Sequence, residues 1–268
     1  MGYGLPLASA ARYETLGAGT GTGTTVTAGS ANVKGSYATI GTASFGYDGI
    51  FVTALKPVGT GVARGRLDIA TNTGGSDQIV VADWYWSTIS GFSSGGQVQR
   101  YLPVRIPAGA TVKARWQSAT GSATLSVMIV GMQGDARQIP GFRAIASLTD
   151  FTNSDPSNSV TLSGTTQTAW TQVIASSGSR VTGVIGNLAD LGTALGTAVH
   201  CLIDIGWGGA GSERVLSRSL HMLGSNIGYQ QIGPLPCDFP AGTRFAFRAQ
   251  CSAADTNVLG LALNGLVP

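Results

Sequence analysis

Apolar and polar residues alternate with a period of two through most of this chain, in short runs broken by Gly, Pro, Ser and Asn. The runs Gln78-Ile-Val-Val-Ala-Asp-Trp-Tyr-Trp, Val112-Lys-Ala-Arg-Trp and Leu125-Ser-Val-Met-Ile-Val read as strands, as does the β-rich Ile50-Phe-Val-Thr-Ala-Leu. Alternation of this kind places successive side chains on opposite faces of a sheet. No segment carries a sustained helical period with caps. Ala189-Asp-Leu-Gly-Thr-Ala-Leu-Gly could make one short turn, but its glycines oppose a stable helix. Seven or eight short strands separated by turn residues, counted in each half of the chain, predict an all-β protein of β-sandwich or jelly-roll type.

The second half repeats the first. LDIATNTGGSDQIV at 67–80 falls on IDIGWGGAGSERVL at 203–216, so that Asp68 meets Asp204 at an offset of 136. LPVRIPAGATVKARWQS at 102–118 falls on LPCDFPAGTRFAFRAQC at 235–251 at an offset of 133, so a central loop differs in length. Such self-similarity predicts two tandem domains of one fold. The expected division is an extended Gly-rich N-terminal arm over 1–35, a first β-sandwich over 36–134, a linker over 135–168 and a second β-sandwich over 169–268. The arm includes Gly17-Ala-Gly-Thr-Gly-Thr-Gly-Thr-Thr, with no apolar face of its own, and is expected to lie on a neighbouring molecule.

Only 11% of the residues are charged, against roughly 25% in an average soluble domain. A chain with so few charges is expected to turn much of its surface toward other subunits. The net charge is +3 and the cations are scattered singly, which argues against nucleic acid as a partner. No apolar run reaches the ~18 residues of a membrane span. The first thirty residues lack the pattern of a signal peptide. Cys201, Cys237 and Cys251 are odd in number and have no counterparts in the first repeat, so they read as small apolar fillers of a protein made in a reducing compartment.

Gly206-Trp-Gly-Gly-Ala-Gly211 matches G-x-G-x-x-G, but strand-like residues follow it, so it reads as a hairpin and no cofactor is expected. His200, Ser212 and Asp204 make a triad only on paper, without a nucleophile elbow. His221 aligns with Tyr85, on an outer face. His200, Cys201, Cys237 and Cys251 lack zinc spacing. Asp150, Asn153, Asp155 and Asn158 do not follow the calcium-loop pattern, so no metal is expected. Asp68 and Asp204, within apolar strands, need donor partners and are expected to cap turns or pair with a nearby Arg. Trp84 and Trp86 align with Leu220 and Met222 and read as core. Trp207, placed in a glycine-rich loop without a first-repeat counterpart, is the candidate contact residue for a neighbouring subunit or a receptor.

The order KGSYATIGT, then the paired LDI/IDI motifs, then PLP-x-x-FPAGTRFAFRAQ resembles jelly-roll modules in structural proteins of tailed bacteriophages. The likeness runs through both copies over most of 36–268, leaving the arm uncovered. It implies a non-enzymatic virion protein of the tail, fibre, neck or capsid surface. The implied partners are copies of itself, as a trimer or higher ring, and other virion proteins, with assembly in a host cytoplasm. An alternative is a module of a phage tail that recognises glycan on the host surface. A depolymerising hydrolase is the third reading, and it lacks an evident pair of facing carboxylates.

Overall fold

The computed structural model describes residues 12–19, 23–55, 64–87, 97–134, 142–191, 199–223 and 230–268. Within them the chain forms twenty strands and no helix. The first repeat contains β1 (Arg12–Leu16), β2 (Thr24–Thr27), β3 (Ala38–Thr42), β4 (Gly49–Leu55), β5 (Arg64–Asn72), β6 (Gln78–Ser87), β7 (Gln97–Leu102), β8 (Thr111–Ser118) and β9 (Thr124–Gln133). Four short strands follow, β10 (Ala144–Ser147), β11 (Phe151–Thr152), β12 (Asp155–Pro156) and β13 (Val160–Ser163). The second repeat continues with β14 (Thr171–Ile174), β15 (Val181–Asp190), β16 (Val199–Trp207), β17 (Arg214–Leu223), β18 (Gln230–Phe239), β19 (Phe245–Cys251) and β20 (Ala254–Val267). The proposed helical turn at 189–196 falls partly on β15, and 192–198 lie outside the described residues.

The two repeats have one topology. In the first, β3-β8-β5-β6 faces β7-β4-β9; in the second, β14-β19-β16-β17 faces β18-β15-β20. These are tandem β-sandwiches, as the alternation and the repeat predict. Each buries a core between its layers. Leu67, Ile69, Trp84, Trp86, Trp116 and Ile50 fill the first; Val184, Ile203, Ile205, Phe245, Phe247 and Leu261 fill the second.

The arm and the linker are not loose pieces. β1 and β2 pair in succession along β9, and β10 and β13 pair in succession along β20. Each sandwich therefore starts with an edge strand in two segments. Leu16 lies opposite Ile129, and Leu148 donates its N–H to the Leu263 carbonyl; Val26 lies opposite Leu125, and Val160 opposite Leu259. The described arm residues thus lie on their own domain. Glu14 fixes them there, because its carboxylate accepts the Tyr47 hydroxyl at 2.6 Å and the Ser44 N–H at 2.8 Å. The remainder of the arm, 1–11 and 20–22, lies outside the described residues.

β10 also joins the sandwiches. It pairs antiparallel with β20 and parallel with β6, at Ile145 opposite Val81. One nine-stranded sheet, β18-β15-β20-β10-β6-β5-β8-β3 with β13 on β20, consequently runs through both repeats. Ile145, Ile185, Ala262 and Leu266 of the second repeat belong to the core of the first. The Asn264 side-chain amide donates to the Ala82 carbonyl at 2.9 Å across the same junction.

A single residue separates the repeats in β6. Leu67 lies opposite Trp84 and Gly65 opposite Trp86, whereas the matching Ile203 and Cys201 lie opposite Ser219 and His221. Both copies hold the offset of 136 up to Val81 and Ser217; the first then carries one extra residue at Ala82 and Asp83, where Asp83 takes a φ of 49°. Such a bulge exchanges faces downstream. Trp84 and Trp86 are core, as expected, but their counterparts are Ser219 and His221 rather than Leu220 and Met222. Leu220 takes the place of Tyr85, and His221 faces inward.

Candidate functional site

The two aspartates that sequence analysis singled out sit at the middle of β5 and β16, on the faces turned away from the cores. Both are fully buried. Asp68 accepts Lys34 Nζ at 2.7 Å, Arg115 Nε at 2.8 Å and the Asp83 N–H at 2.8 Å. Asp204 accepts Arg218 through Nε at 2.6 Å and Nη2 at 2.8 Å, Arg248 Nε at 3.0 Å and the Gln167 amide at 2.9 Å. The arginine pairing expected from the sequence is present in both. Its spatial logic is repeated too, since Arg115 lies 4.7 Å from the Tyr37 ring centre and Arg248 4.3 Å from that of Trp170. The Arg218 guanidinium holds the Asp204 carboxyl below its ordinary range, against the upward push of burial, with Arg248 adding to the effect. A carboxylate filled in this way is a structural tie between three strands.

Trp207 is the last residue of β16, not a loop residue, and Thr71 is its counterpart in the first repeat. Its ring is half-buried, 4.8 Å from that of Phe239 and under the Arg214 guanidinium at 5.6 Å. The glycines that follow make the β16–β17 hairpin, with Gly208 and Gly211 at φ of 112° and 80°. The hairpin reading of the G-x-G-x-x-G match therefore stands. Gly206 leaves room for the Trp170 ring, whose atoms would come within 2.6 Å of an added Cβ.

The triad drawn on paper does not assemble. Asp204 is engaged by arginines, Ser212 Oγ donates to the Gly209 carbonyl at 3.2 Å, and His200 lies at the far end of β16 beside Ser252. The reading of the cysteines as unpaired fillers is corrected: Cys201 and Cys251 lie opposite each other on β16 and β19 and form a disulfide. The register of the Asp204–Arg248 pair carried that signal, because Cys201 and Cys251 each stand three residues from it on antiparallel strands. Cys237 stays free, its thiol pushed up to about 11 by burial and by the neighbouring Asp238. Among the described residues no three metal-binding side chains converge. Two of the four linker residues with oxygen side chains, Asp155 and Asn158, are engaged elsewhere. Asp155 pairs with Arg64 at 3.2 Å and accepts the Tyr85 hydroxyl, and Asn158 accepts the Leu261 N–H.

One polar constellation had no signal in the sequence, because the bulge in the first copy hides its facing. Ser219 Oγ lies 2.7 Å from His221 Nε2, and His221 Nδ1 lies 2.6 Å from Gln230 Oε1. An amide oxygen only accepts, so Nδ1 donates and Nε2 is left to accept the Ser219 proton. Ser219 sits in mid-strand with no sharp turn to offer backbone donors to an oxyanion. The group fills, with polar atoms, the space that Trp84 and Trp86 fill in the first sandwich.

No protein-family model matches the chain, and no curated protein matches it. Among solved structures it is similar to the N-terminal CBM22-1–CBM22-2 tandem domain of Xyn10C from Paenibacillus barcinonensis, at 11% identity and a TM-score of 0.28, over 96% of this chain and 92% of that one.

Proposed function

We propose that this chain is a non-enzymatic structural subunit of a bacteriophage virion, working on the tail, fibre, neck or capsid surface through contacts with copies of itself and with other virion proteins. The observation that carries the reading is the nine-stranded sheet shared by both sandwiches, which makes one stiff block of two modules. Stiff blocks with little surface charge suit repeated contact, and only 11% of the residues are charged. The polar clusters fit the same role, since Asp68 and Asp204 are satisfied by the chain's own cations. The Cys201–Cys251 bond suits a protein that persists on a virion surface outside a reducing cytosol. After assembly in a host cytoplasm the bond would close on release. Quantitative mass spectrometry of purified particles tests the proposal: the protein is expected in many copies per particle, and its absence from particles refutes it.

A second reading, a module that recognises host-surface glycan, is favoured by the half-exposed Trp207 beside Arg214. Glycan-array binding that Trp207→Ala abolishes would support it; no binding by the assembled protein would refute it.

A further inference from the structure

Among the described residues, the junction between the two repeats has counterparts at two strand edges that carry no paired strand. The internal junction has two sides. One is the outer edge of β6 in the first sandwich. The other is the two-segment edge strand that opens the second sandwich, with β10 set against β6 at Ile145 opposite Val81. The topology supplies a second copy of each side. Among the described residues, β17 corresponds to β6 and ends its sheet, and β1 corresponds to β10 and ends its own. By register, Tyr13 lies opposite Met132 as Ile145 lies opposite Leu266, and Ser217 lies opposite Ile205 as Val81 lies opposite Ile69. The residues matching the internal Ile145–Val81 pair are therefore Tyr13 and Ser217.

The burial pattern supports the same correspondence. In the second repeat, Ile145, Ile185, Ala262 and Leu266 are covered by the first sandwich and are at most 1% exposed. Their counterparts in the first repeat are Tyr13, Phe51, Met128 and Met132. Tyr13 is 60% exposed, Phe51 and Met128 are half-buried, and Met132 is already buried. On the other side, Tyr85 is fully buried under Phe151, from the segment that follows β10, with ring centres 6.4 Å apart. Its counterpart Leu220, on β17, is 68% exposed.

We infer that a second copy of this chain docks head to tail, its β1 pairing in parallel with β17 and so repeating between chains the junction that joins the repeats within one. This rests on the assembly reading above and names its contact. The interface is heterologous, so each chain keeps one donor end and one acceptor end. The assembly is a ring where the rotation closes and an open row where it does not. A bare strand edge is a template for this kind of pairing.

Cysteine cross-linking of the full chain tests the contact. Two variants, Tyr13→Cys and Ser217→Cys, are each made on a Cys237→Ser background and mixed under mild oxidation. The expected product is a covalent dimer containing one of each, with little homodimer. The double variant Tyr13→Cys/Ser217→Cys is expected to give a ladder of multimers or a closed ring. A pairing of Tyr13→Cys with Ser212→Cys, which lies off the edge, is the control. Cross-linking no higher than this control, in a wild-type protein that still self-associates, overturns the contact and leaves the assembly reading standing. A wild-type protein that is monomeric at every concentration overturns both. Tyr13→Glu gives a second readout, since it is expected to reduce wild-type-like association at least tenfold while leaving the circular dichroism spectrum unchanged.

Discussion

Trp86 and His221 hold the same place in the two sandwiches: Trp86 lies opposite Gly65, and His221 opposite Cys201, which is the counterpart of Gly65. The first repeat fills this place with bulk. Trp86 meets Trp116 edge to face at 5.7 Å, and Gly65 leaves space for the Trp116 ring beside it. The second repeat fills it with a disulfide and a polar group. Trp86→Ala should therefore cost about 3–5 kcal/mol, measured by denaturant titration. His221→Ala should cost about 1–2 kcal/mol, because it removes hydrogen bonds from a half-buried group.

Reduction of the Cys201–Cys251 bond should lower stability by about 2–4 kcal/mol, since it releases a loop closed over a sequence separation of 50. Thermal unfolding with and without reductant measures this. Alkylation in denaturant without reductant should label Cys237 and leave Cys201 and Cys251 unlabelled.

Acid should weaken the second sandwich through Asp204. Its carboxyl lies below the ordinary range because Arg218, then Arg248, favour the ionised form over the opposing effect of burial. A lowered folded-state value means that the stabilisation is complete above the unfolded value of about 4 and is lost as pH falls through the folded one. Asp204→Asn should remove that part of the acid dependence below about pH 4. Arg248→Ala, which strips one partner from a fully buried carboxylate, should cost about 3 kcal/mol at neutral pH. Denaturant titrations from pH 2 to pH 7 measure both effects.

The edge strand β1 should depend on one side-chain pair. The Glu14 carboxyl is held low by the Tyr47 hydroxyl and the Ser44 N–H, although its burial works the other way. Tyr47→Phe should cost about 1–2 kcal/mol and speed amide exchange in 12–16 more than in β4 or β9. Equal acceleration across all three strands would show that Glu14 is not the tether.

Much of the fold was legible from alternation and from the repeat. The offsets of 136 and 133 placed Asp68 on Asp204 and Arg115 on Arg248, and arginine pairing followed from the cost of an unpaired carboxylate in an apolar strand. The facing of β6 was not legible. The extra residue at Asp83 leaves no gap in the sequence alignment, because it falls between stretches matched at offsets of 136 and 133, so Leu220 was set against Trp84. The pairing of the arm with its own domain was not legible, because its glycines have no apolar face, while its contacts come from Leu16, Val26 and Glu14, scattered among polar neighbours. Trp207 looked like a loop residue because the flanking glycines hide the end of β16. The polar group at Ser219, His221 and Gln230 draws on both β17 and β18, and no spacing rule marks it.

Sedimentation equilibrium of the full chain, from nanomolar to high micromolar concentration, tests the central claim most directly. The account expects a mass that rises with concentration in steps of the 27.2 kDa chain toward a ring or an open series. A constant mass of 27.2 kDa throughout would contradict it.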